Sequence, residues 1–192
     1  ADPSPIAVLP DRRMSRVSGD GLSAVFASTA ALTGRDSRDL VSGDPATEVF
    51  RYDATAGANG TLTCISCNPS GARSVARRSG TVPVVSRIPG WAEQLRPTRA
   101  LSEDGDRVYF ESYAQLVLRD TNQHQDVYQW ERAETDTQCL QEQGGELFVP
   151  ESEGCLSLIS DGAGKEDVSF IDASATGTDV WIATNSSLLP QD

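Results

Sequence analysis

The stretch Asp120-Thr121-Asn122-Gln123-His124-Gln125-Asp126 gathers more candidate ligand atoms than any other short segment of the chain. Asp120, Asn122 and Asp126 offer three side-chain oxygens in one loop. Calcium takes such oxygens at roughly 2.3–2.6 Å. No glycine follows Asn122 and no bidentate glutamate closes the loop. An Asx-type turn is therefore the competing reading, with Asp120 and Asn122 accepting nearby backbone N–H groups. Asp36, Asp39 and Asp44 form a looser version of the same loop earlier in the chain. Beyond this Ca2+ alternative, no cofactor is expected.

His124 is the only histidine, so a Ser-His-Asp arrangement could be built only here. The chain has no G-x-S-x-G elbow, and His124 reads as a solvated loop residue. "SDGAGKED" carries Gly164-Lys165 but lacks the upstream glycine and following hydroxyl of a phosphate loop, and reads as a turn. The carboxylates are scattered, with no spacing that pairs two as acid and base. No catalytic residue is assigned.

Four cysteines, Cys64, Cys67, Cys139 and Cys155, allow 3 pairings. Cys139 and Cys155 flank a segment with a Gly-Gly turn, and a hairpin there would join them, stabilising by about 3 kcal/mol in the chain-entropy model. Cys64 and Cys67 run into Asn68-Pro69. In a flat strand, positions i and i+3 point to opposite faces, so a bridge there needs a bend at Ser66. Zinc and C-x-x-C redox chemistry fit less well, since the second cysteine pair has the wrong spacing and the motif follows a strand. Two disulfides, Cys139–Cys155 and Cys64–Cys67, are the expected state, and they point to an oxidising, extracellular or cell-surface location. Asn59-Gly60-Thr61 and Asn185-Ser186-Ser187 are formal glycosylation sequons.

The formal net charge is −12, which phosphate backbones repel, so nucleic acid is not expected as a partner. Arg73, Arg77 and Arg78 are a local exception, read as a solvated loop. No apolar run of the ~18 residues that a membrane span needs is present. The opening "ADP" matches a secretion-vector scar, and residues 1–12 read as an extension.

The elements that must position these residues announce themselves by repetition. Residues 17–36, 101–120 and 173–192 align without a gap. Each has an apolar strand centre: "SAVFAS", "DRVYFES", "TDVWIAT". In "DRVYFES", Val108 and Phe110 share one face, while Arg107, Tyr109 and Glu111 share the other. A D-G or T-G turn precedes each strand, with glycine supplying the positive φ, and a further strand precedes each turn. Downstream, "TEVFRYD" (47–53) matches "QDVYQWE" (125–131), and 63–72 is matched to 154–163. Two copies thus read as four strands in one order. A four-stranded antiparallel meander repeated along a chain suggests an all-β, β-propeller-like fold; a β-sandwich is the alternative.

The repeat resembles the TolB-type, WD40-like (PD40) propeller repeats, whose core runs S-P-D-G-x-x-[IV]-x-F-x-S. Ser102, Asp104, Gly105, Val108, Phe110 and Ser112 match it, as do Ser18, Asp20, Gly21, Ala24, Phe26 and Ser28, Ala24 the more loosely. The third copy keeps Ser174, Gly177, Val180 and Thr184, but has Thr176 for the aspartate and Ile182 for the phenylalanine. The proline is missing from all three. "LVLRDTNQHQDVYQWE" is also similar to a segment of secreted bacterial members of the family. The resemblance implies a secreted β-propeller of six to eight blades, of which this chain would hold about two and a half: 13–72, 98–163 with an insertion at 132–152, and a partial blade at 164–192. Residues 73–97 read as an insertion or linker, with an extra strand and a helical turn around Trp91 and Leu95.

The third copy stops at the aspartate aligned with Asp36 and Asp120, so the chain is expected to be a fragment with open blade edges. Such edges invite self-association, and "PIAVLP" (5–10) is the one spare strand that could cover them. The expected function is a binding or structural module for a protein or carbohydrate ligand. The alternatives are the propeller portion of a secreted hydrolase and a calcium-stabilised adhesive repeat.

Overall fold

A computed structural model describes residues 15–79, 82–90, 98–133 and 146–186. Its organising element is a turn made three times. The Ser18 hydroxyl donates to Asp20 Oδ1 (2.6 Å) and accepts the Ser23 N–H (2.9 Å), while the Gly21 N–H closes the turn on the Ser18 carbonyl (3.0 Å). Ser102 repeats this with Asp104 (2.5 Å), the Arg107 N–H (2.9 Å) and the Gly105 N–H (3.1 Å). Ser174 repeats it with the Asp179 N–H (3.0 Å) and the Gly177 N–H (2.9 Å). Gly21, Gly105 and Gly177 take φ of 76°, 77° and 69°, the left-handed region that a side chain resists. Thr176, in the aspartate's place, leaves the turn intact.

From the first turn follows a four-stranded antiparallel sheet: β1 (Ser15–Val17), β2 (Ser23–Ser28), β3 (Glu48–Asp53) and β4 (Thr61–Cys64), in the order β1-β2-β3-β4. This is the meander expected for the first unit. The next two strands, β5 (Arg77–Ser79) and β6 (Val82–Val84), form a hairpin, and β7 (Ser86–Arg87) joins the second unit. The second unit has β8 (Arg107–Ser112), β9 (Asp126–Arg132), β10 (Glu146–Val149) and β11 (Gly154–Leu158), in the order β10-β11-β9-β8-β7. The third has β12 (Ser169–Ala173) and β13 (Val180–Ala183), paired antiparallel with an irregularity between Phe170 and Asp172. The fold is all-β; among the described residues there is no α-helix and the sheets do not close into a ring.

The second unit departs from expectation in three ways. Its first strand shrinks to the single bridge Leu101↔Val108. The rest of that β8 edge is taken by β7, where Ser86 meets Ser112 (2.9 Å between hydroxyls) and Arg87 pairs with Glu111 (2.6 Å). Residues 73–90 thus complete a sheet rather than merely link two. The presumed 132–152 insertion contributes β10 as a fifth strand. Finally, Phe50 pairs with Cys64 whereas Tyr128 pairs with Leu158. Cys64 is therefore equivalent to Leu158, and the match of 63–72 to 154–163 is out of register by three residues.

The core lies where the units face one another. The aromatic pair Phe26–Phe50 (5.9 Å between ring centroids) recurs as Phe110–Tyr128 (5.8 Å). Tyr109, on the opposite face of β8, stacks on Phe170 of the third unit at 5.3 Å. Both faces of β8 are consequently buried, Val108 and Phe110 on one and Tyr109 and Glu111 on the other. Between the first two units, Arg51 lies over the Trp130 ring (4.8 Å) and Asp53 binds Arg51 (3.1 Å) and Arg132. Trp91, Leu95, Cys139 and residues 5–10 lie outside the described residues.

Candidate functional site

The chain has two unlike ends. One carries the three tight turns. The other gathers the long loops: 29–47, 113–125 and the segment after β4. Loops held by a rigid scaffold are where binding concentrates, and here they enclose two adjoining clefts of about 650 Å3 and 800 Å3 that share Asn68 and Gln115.

The first cleft is set up by Asp39. This buried carboxylate accepts the Ala76 N–H (2.8 Å) and the Ser42 N–H (2.7 Å), and the Leu40 N–H donates to the Ser74 carbonyl (2.9 Å). The loop before β3 is thereby stitched to the segment leading into β5. The Ala76 N–H is the main reason the Asp39 carboxyl lies far below the usual carboxylate range. The stitching turns Leu40, Val41 and Val75 outward. Along the same wall, Arg77 donates to the Gln123 carbonyl (3.1 Å) and sits over the Tyr113 ring (5.8 Å). Arg78 pairs with Asp44 (2.9 Å) and Arg73 approaches Asp36 (3.8 Å). The arginine run, read from the sequence as a solvated loop, is thus an exposed strand and its approach, tied to neighbouring loops. Asp36, Asp39 and Asp44 each serve a different partner. In the second cleft, Leu118 is fully exposed, while its neighbours Leu116 and Val117 anchor the loop in the core.

Asp120 and Asn122 form two successive Asx turns in the loop before β9, and Asp126 is the first residue of that strand. Asp120 Oδ1 accepts the Asn122 N–H (3.3 Å), and Asn122 Oδ1 accepts the His124 N–H (2.7 Å). Asp120 Oδ2 takes the Tyr128 hydroxyl. Asp126 Oδ1 accepts the Ser160 hydroxyl (2.5 Å); its Oδ2 is buried without a partner. Burial raises the Asp120 pKa to about 6 and pushes Asp126 upward as well. Three of the four carboxylate oxygens, and the Asn122 oxygen, already hold protein donors. The described residues include no cluster of three or more His, Cys, Asp or Glu arranged for a metal.

His124 Nδ1 lies 3.3 Å from Asp167 Oδ1. Among the described residues no hydroxyl or thiol bonds its ring. Gly164-Lys165 sits in the expected turn, with the Gly164 N–H on Asp161 Oδ1 (2.8 Å). Cys64 and Cys67 are joined, with Cα atoms 5.5 Å apart; the strand ends at Cys64 and the chain bends at buried Ser66, as the pairing requires. Cys155 is buried. Its expected partner Cys139 lies outside the described residues, and the pairing with it.

One feature eluded the sequence reading. In both larger units an acid opens the third strand and is bridged to the strand after it. The Ser66 hydroxyl donates to Glu48 (2.5 Å) and accepts the Val49 N–H (2.8 Å). The Ser160 hydroxyl donates to Asp126 (2.5 Å) and accepts the Val127 N–H (3.0 Å). Burial lifts the Glu48 pKa to about 8. The acids were visible at aligned positions; the serines were hidden by the three-residue misalignment.

No family model, curated protein or solved structure matches the chain. The loop-end geometry therefore carries the functional reading. No described helix is long and apolar enough to cross a membrane.

Proposed function

We propose that this chain is a β-propeller-type binding module of a secreted or cell-surface protein, and that it holds an extended segment of a protein ligand in the loop-end clefts. The observation that carries this reading is the apolar lining of those clefts. Val41, Leu40 and Val75 are exposed beside Arg77 in the first cleft, and Leu118 is exposed in the adjoining one. Large exposed apolar groups rimmed by polar residues mark interaction surfaces. Arg77 has its apolar stem and guanidinium held in place and pairs with no carboxylate among the described residues, so an acidic side chain of the ligand can take it. A carbohydrate ligand fits less well, because Tyr113, the aromatic ring in the cleft wall, is already under Arg77. The propeller-type part of the reading rests on the repeated turn and meander, and the secreted location on the Cys64–Cys67 disulfide.

A peptide-display library selected on the protein tests this. Enriched peptides should combine apolar and acidic residues and should lose binding to Leu118→Asp and Arg77→Glu. Peptides that bind these variants as well as the wild type would place the ligand elsewhere. Selective retention on a glycan array, with no peptide enrichment, would replace a protein ligand by a carbohydrate.

A further inference from the structure

The junction between units is built the same way twice. The Gly19 N–H of the first unit donates to the Glu103 carbonyl of the second (2.9 Å), and the Glu103 N–H donates to the Ala175 carbonyl of the third (2.9 Å). Gly19, Glu103 and Ala175 hold the same turn position, so a backbone ladder passes from unit to unit through equivalent residues. The turn glycines keep step with it. A Cβ on Gly105 would lie 3.3 Å from Ser18 Cβ and 2.5 Å from Ser23 Cβ. One on Gly177 would lie 3.3 Å from Ser102 Cβ and 3.1 Å from Arg107 Cβ. Ser18 corresponds to Ser102, and Ser23 to Arg107. Each glycine is thus seated on the cradle of the unit before it, where a side chain would collide at Gly105 and be crowded at Gly177.

The ladder has two loose ends of opposite kind. Among the described residues, the Ala175 N–H has no acceptor and the Gly19 carbonyl no donor. A Cβ on Gly21 would meet nothing within 4 Å, and the Ser174–Asp179 cradle has no glycine on it. The side chains agree. One aligned position on the face that each unit turns to its successor holds Val25, Tyr109 and Trp181, exposed 0%, 1% and 52%. Val25 and Tyr109 are covered by the next unit. Trp181 is uncovered, as is Ile171 beside it on β12. At the other end, the outer face of the first unit presents Tyr52, with the partly buried Phe26 and Leu62.

We propose that the uncovered face of the third unit docks the outer face of the first unit in a second copy of this chain. The partner's Gly21 turn sits on the Ser174–Asp179 cradle, the Ala175 N–H donates to the partner's Gly19 carbonyl, and Trp181 packs on Tyr52, Phe26 and Leu62. The occupant is a copy of this chain because the contact continues the one it already makes twice with itself. A turn with glycine at this position fits the cradle best, being both close to its neighbours and in the left-handed region. The contact is heterologous, so copies add head to tail, closing a ring or extending a filament. This inference is independent of the loop-end clefts, which lie at the opposite end.

Sedimentation velocity over a concentration series tests it, with Trp181→Asp and Tyr52→Glu each blocking one end. Far-UV circular dichroism and thermal melts check that both variants fold; Ile171→Asp substitutes for Trp181→Asp if that variant does not. The wild type should self-associate as concentration rises, stopping at a closed ring or growing into longer species. Each variant alone should stay monomeric. Their mixture should stop at a heterodimer, because one intact face of each kind remains. A wild type that stays monomeric throughout, or variants that associate as the wild type does, would overturn the proposal.

Discussion

Replacing Glu48 by glutamine should remove a large part of the protein's pH sensitivity between mildly acidic and mildly alkaline conditions. Glu48 is buried, its Oε2 accepts the Ser66 hydroxyl, and burial raises its pKa from 4.5 to about 8. Below about pH 4.5 the carboxyl is protonated in both folded and unfolded chains, so stability has its full value. Above that, the unfolded chain sheds the proton while the folded chain keeps it. Each pH unit in this window then costs about 1.4 kcal/mol. The loss levels off once the folded protein also ionises, near pH 8. From the two pKa values the total is on the order of 4–5 kcal/mol. Glutamine keeps the shape and can still accept from Ser66, but has no proton to lose. Urea unfolding of wild type and Glu48→Gln across this range isolates the effect, since Asp120 and Asp126 contribute equally to both. The two stabilities should be similar near pH 5 and should diverge as pH rises, the variant becoming the more stable. Parallel profiles would show that Glu48 ionises normally and that the buried acid–serine bridge has been misread.

The aromatic pairs give a paired test: Phe110→Ala, at a fully buried ring, should cost about 3–5 kcal/mol, and the equivalent Phe26→Ala, partly buried, about 1–2 kcal/mol. Equal costs in denaturant melts would mean that the middle unit is not covered on both faces. EDTA should leave the melting temperature unchanged, because the Asx turns already occupy most of the oxygens of Asp120 and Asn122; a drop in melting temperature that Asp120→Ala abolishes would establish a calcium ion there. Replacing Cys64 and Cys67 by serine together should cost about 2 kcal/mol, the chain-entropy value for so short a loop, and a cost near zero would show that the bend at Ser66 holds without the bond.

Much of this fold was legible because one turn recurs. Serine, an acid or threonine, and glycine at fixed spacing specify the hydrogen bonds of Ser18, Ser102 and Ser174 almost completely, and the strands on either side follow. What the pattern could not show is which faces are covered. Alternation put Tyr109 and Glu111 on the face opposite Val108 and Phe110 without saying what covers it, and both are buried. A third unit stacks Phe170 on Tyr109 and donates the Phe170 N–H to Glu111 (2.9 Å). At the aligned position, Val25 is buried and Trp181 half-exposed for the same reason in reverse. Burial there belongs to the neighbouring unit, and no property of the strand's own residues encodes it. The sequence predicts an extra strand within 73–97, but not three of them, nor the pairing of the short β7 with β8. Ser86-Arg87 has no apolar alternation of its own and exists as strand only because the β8 edge beside it is open to pairing.

On the proposed reading, the division between periodic and aperiodic parts also separates structure from binding. At the turn end the same scaffold bonds recur from unit to unit, and among the described residues only the ends of that ladder, the Ala175 N–H and the Gly19 carbonyl, stay open. At the loop end the equivalents diverge. The loop before β3 uses Asp39 to capture the segment leading into β5, while the loop before β9 uses Asp120 to capture Tyr128 within its own sheet. The first cleft lies beside Val41 and Arg77 and the second beside Leu118, and among the described residues Arg77 pairs with no carboxylate. A buried acid–serine bridge, Glu48–Ser66 or Asp126–Ser160, lies at the root of each diverging loop. The bridge ties the third strand to the end of the fourth at the point where the chain leaves regular structure. The loops can therefore differ in sequence and length without disturbing the sheets below them. On the proposed reading such a scaffold would change its ligand by changing loops alone, so the apolar residues exposed there, and not the repeated turns, are the ones to test first.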